Sequence, residues 1–217
     1  MRRLRRALPD LQVPAIEKIA EKSRKDAFRV LIGTLLSART QDATTHAASM
    51  RLFARAASPK TMARLTVEEI SHLIYPVSFY RTKAIHVKAT CELLMERFVG
   101  KVPGTMEELL TLPGVGRKTA NLVLILAHGS RRNICVDTHV HRISNRLGWV
   151  ATRTPEQTEQ ALYRAIPMRW WPDLNVYLVT WGQNVCRPIG PRCSGCVLAA
   201  RCPSRRAIRP NRHTRRG

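Results

Sequence analysis

The chain has 217 residues, enough for one large domain or two modest ones with a proper core. Its hydrophobic fraction of 44% and charged fraction of 24% are those of an ordinary globular protein, but 37 Lys and Arg against 15 Asp and Glu leave a net charge of +22. Without the four arginines at the start (Arg2, Arg3, Arg5, Arg6) and the six between Arg205 and Arg216, the rest still carries +12, which points to a polyanionic partner. Nucleic acid fits better than a membrane surface, because no long amphipathic basic helix is present. No apolar run approaches the roughly 18 residues of a membrane span. Pro9, Asp10, Pro14 and Glu17 break the basic opening before any secretory apolar region develops. A cytoplasmic location, nucleoid-associated in a bacterium, is the expectation.

Taken in chain order, the elements read as helices joined by short turns. DAFRVLIGTLLSA at 26–38 is apolar enough for a buried helix. Thr66 and Glu69 form a capping box ahead of a helix ending near Ile74, before Pro76. TKAIHVKATCELLMERF spaces Ile85, Ala89, Leu93 and Leu94 at helical intervals, and GTMEELLTL and RKTANLVLILAH are helix candidates on either side of a glycine elbow. Val140, Ile143, Leu147 and Val150 make a helical stripe, and Thr154-Pro155-Glu156-Gln157 is an N-cap followed by a first-turn proline. No stretch alternates in the strand manner, so the fold class is all-α. No internal repeat occurs at solenoid spacing, and the basic tail 204–217 has too little apolar surface to fold alone.

The elbow at 112–124, LPGVGRKTANLVL, carries Gly114, Val115 and Gly116, with Lys118 just behind them. The glycines permit unusual torsions and keep the turn free of side chains, so backbone amides at a helix start can face a phosphate. Read alone, the motif is equally a plain corner between two helices. Asp137 in CVDTHVHR stands where an N-cap would. His139 and His141 alternate, which on a helix sends them to different faces and disfavours shared metal ligation; hydrogen bonding is expected of His139. Cys186, Cys193, Cys196 and Cys202 crowd into CRPIGPRCSGCVLAARC, and four thiolates so close imply a metal centre. Their spacing suits zinc and iron–sulfur comparably. Cys91 and Cys135 stand in apolar surroundings as small core residues.

The elbow motif, VDTHVHR at 136–142 and the late cysteines together resemble the endonuclease III family, DNA glycosylases with an abasic-site lyase activity in the helix-hairpin-helix superfamily. The likeness runs from about residue 26 to Cys202. It implies two helical domains flanking a DNA cleft: a six-helix barrel with the hairpin at 20–131, and an iron–sulfur domain from 1–19 with 132–203. It implies a [4Fe–4S] cluster on the four cysteines, with Arg187 and Arg192 on the cluster loop available to phosphates. Lys118 matches the family's nucleophile and Asp137 its essential carboxylate. An ordinary lysine is neutral in only about one molecule in a thousand at pH 7.4, a handicap of roughly 4 kcal/mol. A helix start supplies at most ~2 kcal/mol against it, so desolvation against substrate must supply the larger part. SARTQD matches one DNA-inserting loop, placing Arg39 where relatives often carry glutamine. YPVSFYRTK matches the other, placing Val77 and Phe79 at apolar wedge positions.

The implied activity is removal of damaged, in expectation oxidised, pyrimidines from double-stranded DNA through a lysine Schiff base and β-elimination, by a monomer. A monofunctional mismatch glycosylase on the same scaffold is the nearest rival, although such relatives generally lack lysine here. A non-catalytic hairpin DNA-binding protein would explain the charge but not Lys118 together with Asp137.

Overall fold

In a computed structural model, which describes residues 1–9, 11–23 and 26–205, the chain forms twelve α-helices and three short 3-10 turns, with no strand among the described residues. The all-α expectation is met. The helices are α1 (Arg2–Ala7), α2 (Ala15–Lys22), α3 (Ala27–Ser37), α4 (Asp42–Arg55), α5 (Pro59–Met62), α6 (Val67–Ile74), α7 (Tyr80–Arg97), α8 (Met106–Leu109), α9 (Arg117–Leu126), α10 (Thr138–Arg146), α11 (Pro155–Ala165) and α12 (Trp171–Asn184). The chain divides into two compact units, Pro14–Cys135 and Met1–Val13 with Val136–Gly217. Residue 20, the expected boundary, falls inside α2, whose apolar face packs on α3 and α4. The basic tail lies outside the described residues from Arg206 onward.

In the Pro14–Cys135 unit, α5 and α8 are single turns, so six helices of eight residues or more remain. Helix α3 is their hub. All its residues from Val30 to Leu36 are buried, and it packs against α2, α4, α7 and α9. Asp26 starts it by accepting from the Arg29 amide at 2.9 Å, a cap worth about 1 kcal/mol. The Thr66–Glu69 capping box forms in full: Glu69 N–H donates to Thr66 Oγ1, and Thr66 N–H to Glu69 Oε2. Cys91 and Cys135 are fully buried, as expected. No helix among the described residues is long and apolar enough to cross a membrane.

One expectation about a helix needs correction, and α7 turns inward a face that its apolar spacing did not indicate. On α7 the buried line runs Lys83, Ala84, Val87, Thr90, Cys91 and Leu94, whereas Ile85 is 54% exposed. A polar stripe of α7 is turned inward because Lys83 bonds carbonyls at the end of α3 and Thr90 bonds that of Pro113. In the other unit, α10 stops at Arg146, so Val150 lies beyond the helix; Gly148, at φ +67°, turns the chain away. Here α10 packs on α11 and α12, and α1 on α12. Thr154 caps α11 as expected, accepting from Gln157 N–H at 3.2 Å.

Replacing Leu94 with alanine should destabilise the protein by about 2–5 kcal/mol, because it opens a buried cavity. Ile85→Ala should change stability by ~0.5 kcal/mol or less. Denaturation of the two variants under identical conditions checks this; equal losses would contradict the inward polar stripe.

Candidate active site and DNA-facing loops

The elbow between α8 and α9 is held on α7. Thr90 Oγ1 donates to the Pro113 carbonyl at 3.0 Å, and Val115 N–H closes the turn on Leu112 O at 3.1 Å. Gly114 adopts φ +75°, and a Cβ there would lie 2.6 Å from His86 Nδ1. Only glycine satisfies both demands. Gly116 is different and corrects the expectation from sequence. Its φ of −100° and ψ of 177° are open to any residue, and no atom would meet a Cβ within 4 Å. It leaves open space beside the backbone where α9 begins. Val115 is buried, 7% exposed, within the hydrophobic core.

Lys118 lies in the first turn of α9 and is half-buried, with its carbonyl accepting from Cys135 Sγ at 3.5 Å. Nearby sits a second lysine that sequence reasoning missed. Lys83 is 8% exposed, and its ammonium donates to Leu36 O at 2.7 Å, Ala38 O at 2.6 Å and Thr40 Oγ1 at 3.1 Å. Burial, and then the positive charge of Lys118, lower its pKa to about 8. Its only sequence signal is a charged residue on the buried line of a helix.

The two loops proposed to enter DNA differ in what they present. Arg39 and Phe79 both sit in the left-handed region, at φ 55° and 56°, which costs a bulky residue about 1–3 kcal/mol. They face each other, with the Arg39 guanidinium 5.9 Å from the centre of the Phe79 ring, and Phe79 is 62% exposed. Val99, at the end of α7, is the third such residue. Val77, by contrast, is 1% exposed within the hydrophobic core, so the wedge expectation is corrected: the buried valine anchors its loop.

Asp137 opens the other unit and caps α10, with Oδ1 accepting from the His139 amide at 2.9 Å and the Val140 amide at 2.8 Å. Those bonds fix the carboxylate's orientation. His139 Nδ1 lies 3.0 Å from an Arg142 guanidinium nitrogen, and His141 Nδ1 lies 2.6 Å from Thr158 Oγ1, so the two rings have separate partners.

Cys186, Cys193, Cys196 and Cys202 line one cavity, together with Ile143, Arg146, Leu147, Trp181 and Leu198. Arg146 reaches Cys186 Sγ at 3.5 Å and the Arg187 carbonyl at 2.7 Å. Burial, and then the neighbouring Cys186, Cys196 and Cys202, raise the Cys193 thiol, the behaviour of thiols that share one site. Among the described residues no group of three or more His, Cys, Asp or Glu is set to hold a metal ion. The donor set is nonetheless all sulfur, in an apolar cavity, and so fits an iron–sulfur group. Arg187 and Arg192 are exposed on the loop beside it.

Residues 32–168 match the model of the HhH-GPD superfamily of base excision DNA repair proteins. The chain is also 47% identical, over 82% of its length and 83% of the relative's, to Endonuclease III of Thermotoga maritima. It belongs to the endonuclease III family. Among solved structures, a non-covalent Endonuclease III–DNA complex superposes with a TM-score of 0.83 at 31% identity, covering 94% of this chain and 92% of that one. A trapped covalent Endonuclease III–DNA intermediate gives 0.79 at 31% identity, covering 89% and 94%. This endonuclease III chain therefore has the helical fold expected of it, with the hairpin inside the matched region.

The elbow geometry separates its two glycines. Gly114→Ala should lower stability by about 1–3 kcal/mol, since it adds strain and a clash with His86. Gly116→Ala should cost less than ~1 kcal/mol but weaken DNA binding, because it fills the space beside the α9 amides. Denaturation and fluorescence titration with duplex DNA distinguish the two; a large stability loss at Gly116 would contradict the assignment.

Proposed function

We propose that the base excision activity of this endonuclease III relative, DNA glycosylase and abasic-site lyase together, runs through Lys118 as nucleophile and Asp137 as its carboxylate, on oxidised pyrimidines in double-stranded DNA. The observation that carries the reading is the position of Lys118, in the first turn of α9 behind a hairpin whose backbone is open at Gly116. Backbone amides and the surrounding positive charge hold the phosphates, and the amine is placed to meet the sugar between them.

The chemistry proceeds by covalent catalysis. The neutral Lys118 amine attacks C1′ of the damaged nucleotide and the C1′–N bond breaks, its electron pair leaving with the base, which takes up a proton. The nitrogen loses its proton, the sugar ring opens and a Schiff base remains. Removal of a C2′ proton then expels the 3′ phosphate and cuts the strand. Asp137, held by two amides, stabilises the positive charge that develops on the sugar and relays protons at the amine. Arg39 and Phe79 fill the stack vacated by the extruded base, a step every enzyme that works on a duplex base must manage. Arg187 and Arg192 contact phosphates, and the molecule acts as a monomer.

Cys186, Cys193, Cys196 and Cys202 would hold the [4Fe–4S] cluster, with Arg146 supporting Cys186. The cluster orders a segment, 186–202, that has few apolar residues to order itself. Purified protein should contain iron and acid-labile sulfide in equal amounts; zinc in their place would overturn this part.

Borohydride should trap wild-type protein on abasic DNA, and Lys118→Ala should give no adduct; an undiminished adduct would exclude Lys118. Asp137→Asn keeps a good N-cap, so folding and DNA binding should survive while single-turnover excision slows by about 10²–10⁴-fold. Unchanged excision would leave Asp137 only its capping role.

A further inference from the structure

Lys83 belongs to neither the nucleophile nor the DNA-facing surface, yet it is a buried ammonium with three oxygen partners. All three partners lie between the last turn of α3 and Thr40, the stretch that carries Arg39. The third, Thr40 Oγ1, also accepts from the Ser78 amide at 3.2 Å, next to Phe79. The lysine is itself in the first turn of α7, which Phe79 opens as N-cap. One ammonium and one hydroxyl thus join the two loops through four hydrogen bonds. At the tips of those loops stand the two strained residues, Arg39 and Phe79, facing each other. A left-handed arginine and a left-handed phenylalanine persist only where their surroundings over-determine them.

We propose that Lys83 is a positioning residue for base extrusion, tying the Arg39 and Phe79 loops into one bracket that meets the duplex already in its inserting shape. The proposal rests on the reading that these loops enter DNA. Its energetic logic is preorganisation. Loops free to move would have to be ordered during extrusion, and ordering costs binding energy otherwise available to open the stack. The bracket is ordered on folding instead. Charge strengthens the three hydrogen bonds that the ammonium donates, and burial of the lysine limits the water that competes for them.

Lys83 could instead act through charge, since Lys118 is close enough for its positive charge to act on the Lys83 ammonium. The two roles separate by substrate. Single-stranded DNA with a preformed abasic site needs no base extruded, whereas a damaged base paired in a duplex does. Lys83→Met keeps the aliphatic stem and removes the ammonium. It should slow single-turnover excision from the duplex by about 10²-fold, while cleavage of the single-stranded abasic substrate stays within about twofold of wild type. A 2-aminopurine reporter beside the lesion should show the same loss of extrusion. Equal losses on both substrates would overturn the positioning role in favour of an electrostatic one, and no loss on either would overturn the proposal outright.

Thr40→Val is the milder second variant, in case Lys83→Met folds poorly. It cuts the link between Lys83 and Ser78 and should reproduce the duplex-specific loss to a smaller degree; wild-type extrusion in Thr40→Val would count against the bracket. A combined Arg39→Ala and Phe79→Ala protein isolates the underlying reading. If that protein extrudes bases normally, the loops do not enter DNA and the premise fails. If it is impaired, adding Lys83→Met should cause no further loss on the duplex. Additive losses would show Lys83 acting elsewhere.

Discussion

The closest constraint in the Pro14–Cys135 unit is a backbone passing where no side chain fits. Gly114 runs against the His86 ring, and a Cβ at that point would overlap it. This contact, with the Thr90 bond to Pro113 O, seats the hairpin on α7 and fixes where α9 begins. Lys118 is the second residue of that helix. The position of the proposed nucleophile thus follows from a missing methyl group four residues earlier, and a displacement of even an ångström at such a site would be costly in rate.

Helix α7 is the frame on which the functional loops are mounted. Lys83, His86 and Thr90 recur at helical spacing along it and hold, in turn, the Arg39 loop, the glycine of the elbow and the elbow's carbonyl. A polar stripe turned inward on a helix is usually unfavourable, because each group leaves water. Here most of that cost is offset, since the Lys83 ammonium has three oxygen acceptors and Thr90 has one. What the fold gains is rigidity among loops whose apolar anchors, Val77, Leu112 and Val115, do not by themselves fix the polar groups at their tips. Rigidity of that kind is what a protein needs if it is to unstack DNA rather than be reshaped by it.

Much of this was legible in the sequence, and the boundary of legibility has physical causes. Local signals survived intact: the Thr154 cap, the Thr66–Glu69 box and the Asp137 cap depend on residues three apart, and each formed. The shared site of the four cysteines was legible because they lie close together in the chain, and all four line one cavity, whereas Lys118 was singled out by resemblance to a family and not by its own surroundings. Whatever depended on distant partners was hidden. Nothing near Val77 in the chain reveals that it reaches the core, and nothing near Gly116 reveals that its torsions are ordinary. Lys83 was invisible for the same reason, since its acceptors lie more than forty residues away. A pattern reader counts it as surface charge and then assigns the face of α7 to Ile85, which is exposed.

The central claim is that one particular amine becomes bonded to deoxyribose, although a second lies close enough for their charges to interact. Peptide mapping by mass spectrometry of the borohydride-reduced protein–DNA adduct decides it directly. The account predicts that the reduced sugar remnant is carried by the peptide containing Lys118 and localises to that side chain. A remnant on Lys83, or on the amino terminus, would contradict it.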